Sequence, residues 1–246
     1  MRAVYKLLLV LVVALACAVP AFPDAVQTTH VYDLTAGTYA DSMGTGPSLV
    51  GYGGALSSTG YSFAANQGLS LTGAVNATNY SIEMVFSVNS IPSASWIKLV
   101  DFKNLTSDRG EYLKSGSPYL YNIGGTSAVV APNTPTNLII TRDGATNLYS
   151  VYLNGALVQS FVDTTGLTVF SNNIAYFLKD DNVTGGRESM AGNISLIRTY
   201  NGALTQEQVT FVDDGGGVLG EVPEPASLLL FGSGLGSLVL IIRRKR

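Results

Sequence analysis

The clearest pattern in the chain is the alternation Tyr80-Ser81-Ile82-Glu83-Met84-Val85-Phe86-Ser87-Val88, which places Tyr80, Ile82, Met84, Phe86 and Val88 on one face. Successive side chains of a strand point to opposite faces, so this pattern predicts a strand with one side in a core. Shorter runs of strand character recur at 31–34, 61–63, 69–71, 96–102, 119–122, 127–130, 137–142, 148–153, 156–161, 174–178 and 193–200. In 96–102 the two faces are less cleanly separated than in 80–88. Asn154-Gly155, between 148–153 and 156–161, predicts a tight hairpin, because both residues tolerate positive φ. Asp143-Gly144 marks a further turn. One helix is expected: Thr205 can cap it, Gln208 completes a capping box, and the helix should end near Val212. Asp213-Asp214-Gly215-Gly216-Gly217 then reads as the start of a flexible linker. Many short strands with almost no helix predict an all-β fold, a two-sheet antiparallel sandwich.

The two ends break this pattern. Arg2 and Lys6 precede an apolar run of 12 residues from Leu7 to Ala18, long enough for a signal h-region and too short to span a bilayer. Cleavage is expected after Ala21, with Ala18 and Ala25 as alternatives. Near the other end, 17 mostly apolar residues (226–242) precede Arg243-Arg244-Lys245-Arg246. At ~1.5 Å per residue that stretch reaches about 26 Å, a short span of a ~30 Å hydrocarbon core. The basic cluster should hold the C-terminus in the cytoplasm. Pro223 and Pro225 keep the segment before it extended, in a form a protease can grip. The organisation is therefore a signal peptide (1–21), a β body (26–214), a linker (215–222) and a tail (223–246) with a membrane segment at 226–242.

Composition narrows the chemistry. Cys17 is the only cysteine and lies in the expected signal peptide, so the exported body has neither disulfides nor thiolate chemistry. Between Asp24 and Glu224 eight of the 14 Lys and Arg stand against all 17 acids, a net charge near −9. That argues against nucleic acid and anionic membrane surfaces as partners of the body. His30 is the only histidine, so zinc and triad chemistry lack their parts. Glu83 is the only acid in its strand, and Asp101 and Asp108 could converge only through a loop, so no paired carboxylates for glycoside hydrolysis are evident. No catalytic residues are expected and no cofactor is required.

Two binding chemistries remain. Asp180, Asp181 and Asn182, with Glu188 beyond the Gly185-Gly186 turn, form the densest oxygen-donor cluster and the candidate calcium site. Tyr112, Tyr119 and Tyr121 are close in sequence and could offer flat faces to a sugar.

Certain phrases resemble a known domain family. Arg142-Asp143-Gly144 ahead of Tyr149-Ser150-Val151-Tyr152-Leu153-Asn154-Gly155, and the closing run from Gly192 through Asn201-Gly202-Ala203-Leu204-Thr205, resemble the laminin-G-like, concanavalin A-type jelly roll. The tail Val222-Pro223-Glu224-Pro225, with its apolar stretch and basic end, resembles the PEP-CTERM sorting signal of Gram-negative bacteria. These resemblances imply processing by exosortase near Pro223, Glu224 and Pro225. They also imply a transient membrane anchor and release to the surface of an exopolysaccharide-producing cell. The expected function is that of a non-enzymatic surface or matrix protein contacting extracellular polysaccharide. The alternatives are an adhesive protein without a saccharide site, or a glycan hydrolase.

Overall fold

The computed structural model describes residues 26–220. The expected signal peptide, the 226–242 segment and the Pro223-Glu224-Pro225 motif lie outside the described residues. Fifteen strands lie among the described residues. They are β1 (Thr28–Asp33), β2 (Val50–Gly51), β3 (Ala55–Ser57), β4 (Gly60–Phe63), β5 (Leu69–Thr72), β6 (Tyr80–Val88), β7 (Trp96–Asp101) and β8 (Gly110–Lys114). β9 (Ser117–Leu120), β10 (Gly124–Gly125), β11 (Thr136–Arg142), β12 (Leu148–Leu153), β13 (Ala156–Val162), β14 (Ile174–Phe177) and β15 (Gly192–Tyr200) follow. Among the described residues one α-helix, α1, spans Gln206–Asp213.

The strands form two antiparallel sheets. The eight-stranded sheet runs β13-β12-β11-β6-β15-β4-β3, with β1 also paired to β15. The seven-stranded sheet runs β10-β9-β8-β7-β14-β5-β2. β6 lies between β11 and β15, and its predicted face of Tyr80, Ile82, Met84, Phe86 and Val88 enters the core between the sheets. Opposite it stand Ile97, Leu99, Leu113, Leu120, Ala175 and Phe177 of the second sheet. Burying such side chains contributes about 1.5–3 kcal/mol each.

On the other face of β6, Ser81 and Glu83 are also buried, because α1 and the chain after it cover that end, while Val85 and Ser87 are half-buried. Ile139, Tyr152, Tyr200, Leu204, Val209, Val212 and Leu219 form a second apolar cluster there. Glu83, on this covered face, accepts from Tyr200 Oη at 2.8 Å, Arg198 Nη1 at 3.1 Å and Asn137 Nδ2 at 3.2 Å. The capping box is present: Gln208 N–H donates to Thr205 Oγ1, and Thr205 N–H donates to Gln208 Oε1.

Three expectations need correction. Residues 127–130 are not a strand. Residues 110–114 are one, although the sequence pattern predicted no strand there, because Glu111 occupies a core position that a pattern reading assigns to an apolar residue. The expected linker begins inside the domain: Leu219 is buried, its N–H donates to Thr28 Oγ1 at 2.8 Å, and its carbonyl accepts from Thr28 N–H at 3.0 Å. The compact unit accordingly runs from Val26 to Leu219.

Candidate functional site

On the seven-stranded sheet, Ile97 and Leu99 of β7 point into the core, so Trp96 and Lys98 point away from it. A bulge between Lys98 and Val100, in the pairing of β7 with β8, puts Leu99 and Val100 both into the core and returns Asp101 to the outer face. That extra residue is why the alternation in 96–102 looks blurred in the sequence. Tyr112 and Lys114 of β8 and Tyr119 of β9 share the outer face, opposite to Leu113 and Leu120.

Trp96 is the hub of this face. Its ring meets Tyr112 at 5.5 Å, Tyr119 at 5.1 Å and Tyr121 at 5.9 Å, all edge-to-face. Lys114 Nζ sits 4.6 Å from the Trp96 ring centroid and 4.8 Å from that of Tyr119. Edge-to-face packing leaves rings held upright by one another, and Trp96, Tyr119 and Tyr121 remain partly exposed. The three tyrosines singled out from sequence do come together. Trp96 organises them, and its signal was available: a tryptophan on the polar parity of a strand.

An acidic cluster adjoins the rings. Tyr112 Oη donates to Asp108 Oδ1 at 3.0 Å. Carboxylate oxygens of Asp108, Asp181 and Glu188 lie within 4.8 Å of one another. Burial, then the charge of Asp108 and a hydrogen bond with it, pushes the Glu188 carboxyl up to about 7. The neighbouring Tyr121 hydroxyl is raised as well, first by the charge of Asp108.

The loop that delivers Asp181 and Glu188 is shaped by Asp180. Its Oδ1 accepts from Asp181 N–H at 2.9 Å, and its Oδ2 accepts from Thr184 Oγ1 at 2.7 Å and Glu188 N–H at 3.0 Å. Gly185 and Gly186 turn the loop at positive φ, and a Cβ on Gly186 would stand 2.5 Å from Asn66 Nδ2. Asp181 Oδ1 accepts from the N–H groups of Val183 and Thr184, while its Oδ2 accepts from Lys98 Nζ. Lys98 Nζ also donates to Asp101 Oδ2 at 3.2 Å, and all three side chains are fully buried.

The predicted calcium set is thus not one cage. Asp180 faces its own loop, Asn182 is exposed, and Asp181 and Glu188 meet Asp108 instead. Calcium takes about six to eight oxygens. Here a lysine ammonium already neutralises Asp181, so the residues fit a calcium ion poorly. His30 is partly buried and hydrogen-bonds Asp41 Oδ2 at 2.9 Å. Val31, Met43, Thr45 and Gly46 also donate N–H groups to that carboxylate, which ties a loop to β1. Glu111 lies on the core side of β8, where it accepts from Tyr149 Oη at 3.2 Å and burial pushes it up to about 8.

The family comparisons agree with this architecture. Residues 102–210 match the concanavalin A-like lectin/glucanases superfamily. Residues 221–246 match the PEP-CTERM protein-sorting motif. None of the curated proteins matches the chain. Among solved structures, domain 4 of AbnA, a GH43 extracellular arabinanase from Geobacillus stearothermophilus in complex with arabinotriose, is similar. It has 18% identity and a TM-score of 0.59, with 77% of this chain and 100% of that chain covered. The binding domain of botulinum neurotoxin serotype D matches at 14% identity and TM-score 0.57, over 77% of this chain and 52% of that one. A Trypanosoma rangeli sialidase matches at 14% and 0.56, over 80% of this chain and 34% of that one. At such identities the likeness establishes the fold. The sorting motif implies export, a membrane anchor before processing, and processing by exosortase. The chain is an exported protein that joins a laminin-G-like, concanavalin A-like jelly roll to a C-terminal PEP-CTERM sorting motif.

Proposed function

We propose that this is a non-enzymatic surface or extracellular-matrix protein of a Gram-negative bacterium, and that its jelly roll contacts extracellular polysaccharide through the outer face of the seven-stranded sheet. The observation that carries this reading is the ring cluster of Trp96, Tyr119 and Tyr121, partly exposed beside the carboxylates of Asp108 and Glu188. Flat rings take the apolar face of a sugar, and adjacent carboxyl oxygens take its hydroxyls. The arabinotriose held by domain 4 of the arabinanase, on a similar fold, is compatible with it.

Binding without hydrolysis is supported by the state of the acids. Retaining glycosidases hold their two carboxyl groups about 5–5.5 Å apart, with a bond to cleave between them. Oxygens of Asp108 and Glu188 lie within 4.8 Å of each other, closer than that spacing, and Asp181 is held by Lys98. In the cell, the basic end 243–246 would stay cytoplasmic until exosortase acts near Pro223, Glu224 and Pro225. The test is a glycan array probed with residues 26–219, wild type and Trp96→Ala, with and without calcium. Saccharide binding that Trp96→Ala removes supports the proposal; an array flat for the wild type defeats it. Release of reducing sugar from any bound glycan would defeat the non-enzymatic part.

A further inference from the structure

Lys98 is the one fully buried lysine among the described residues. The pairs Arg142–Asp163 and Arg198–Glu83 use arginine, which stays protonated in proteins and cannot act as a nucleophile. A lysine ammonium becomes a nucleophilic amine once it gives up a proton.

Lys98 Nζ meets two carboxylates at once. Asp181 Oδ2 accepts from it, and so does Asp101 Oδ2 at 3.2 Å, with all three side chains withdrawn from solvent. Each carboxylate is fixed through its other oxygen. Asp181 Oδ1 accepts from the N–H groups of Val183 at 2.7 Å and Thr184 at 3.2 Å. Asp101 Oδ1 accepts from the N–H groups of Leu105 at 2.9 Å and Lys103 at 3.0 Å. The Tyr112 ring centroid lies 5.1 Å from Nζ. Gly110 leaves room for the lysine stem: a Cβ there would stand 3.1 Å from Lys98 Cε.

We infer that Lys98 and Asp181 condense into an intramolecular isopeptide bond, Nζ to Cγ, with Asp101 as the proton carrier. Asp101 Oδ2 takes one proton from the Lys98 ammonium and passes it to Asp181 Oδ2. The freed amine attacks Asp181 Cγ, and the negative charge that builds on Oδ1 meets the Val183 and Thr184 N–H groups. A second proton leaves Nζ by the same path, the Cγ–Oδ2 bond breaks, and Oδ2 departs with both protons as water. The third proton stays on the amide nitrogen, no oxidation state changes, and Asp101 ends as it began. Burial, the largest influence on Asp101, raises its carboxyl above the ordinary carboxylate range, which suits a group that carries a proton. Reactants well oriented within one molecule act at effective concentrations of about 10⁵–10⁸ M, far above that of water, so condensation is favoured over hydrolysis. The product leaves no polar group unpaired: its N–H faces Asp101 Oδ2, and its carbonyl keeps the two loop N–H groups. The bond ties β7 to the loop after β14, 83 positions apart, in a chain with no cysteine after Cys17 for a disulfide.

The experiment is peptide mass spectrometry on the full chain, purified, unfolded in urea and digested with trypsin and a glutamate-specific protease. Cleavage after Glu83, Lys103, Lys179 and Arg187 should leave residues 84–103, uncut at Lys98, joined to residues 180–187. The joined species should be lighter than the sum of the two peptides by one water, and free 180–187 should be absent. Lys98→Arg, which keeps the charge but not the amine, should abolish it. Asp101→Asn should lower the joined fraction by about tenfold or more in protein that keeps the native near-ultraviolet dichroism, and Asp101→Glu should restore it. Free 180–187 as the main form in the wild type overturns the inference, as does Lys98 joined to any acid other than Asp181. Equal joining in natively folded Asp101→Asn overturns the part given to Asp101.

Discussion

Lys98 Nζ donates to the carboxylate of Asp181, a residue 83 positions away, and both side chains are fully buried. The pair joins β7 to the acidic loop and sets which carboxylates are left to face outward. It also supplies internally the positive charge that a metal would otherwise bring. Removing one partner of a buried pair leaves the other uncompensated, which costs about 3–5 kcal/mol. Lys98→Met should therefore lower the free energy of urea unfolding by that amount, through a lower midpoint at an unchanged m-value. Added calcium is expected to restore little of it. Restoration by calcium would show that the acids can act as a metal site.

The pH dependence of stability should run opposite to that of an ordinary acidic protein. Burial raises Glu111 from an ordinary 4.5 to about 8, so the unfolded chain loses this proton first. The native state then binds more protons between those values, and stability falls as pH rises from about 4.5 to 8. Glu188 adds to the fall up to about 7, reduced by solvent screening because it is only partly buried. Glu111→Gln should flatten the upper part of the curve, measured by urea unfolding at pH 5 and pH 8. An unchanged slope would locate the titration elsewhere.

The domain boundary can be measured. A body ending at Asp214 loses the burial of Leu219 and both of its hydrogen bonds to Thr28. Relative to a body ending at Gly220, it should be less stable by at least about 1.5–3 kcal/mol. Equal midpoints would return residues 215–219 to the linker.

Helix α1 covers Glu83 and the second apolar cluster, so its cap matters beyond the helix. Thr205→Ala removes the hydroxyl that accepts from Gln208 N–H and should cost about 1 kcal/mol. Thr205→Ser should restore most of it. Thermal unfolding of the three proteins decides this.

Much of the fold could be read from the chain because its signals are local. Tyr80 to Val88, Asn154-Gly155 and the Thr205–Gln208 box each act within a few residues, and each is found where the pattern placed it. β8 was missed because Glu111 breaks the apolar alternation, and its partner Tyr149 is 38 positions away. The candidate site was legible only in fragments. Tyr112, Tyr119 and Tyr121 stood out, but the platform depends on Trp96, two strands earlier than Tyr119 in the sheet. The calcium reading paired residues by sequence density, whereas the loop turns Asp180 toward its own N–H groups and brings Asp108 to Glu188 from another segment.

The chain by itself determined the all-β class, the hairpins, the helix cap and the C-terminal sorting motif. These depend on period, turn chemistry, charge and length, which act locally. Only the tertiary structure decided that Lys98 answers Asp181 and that Glu111 carries its proton into the core. Such outcomes follow from which distant segments share a desolvated space, and no local pattern records that.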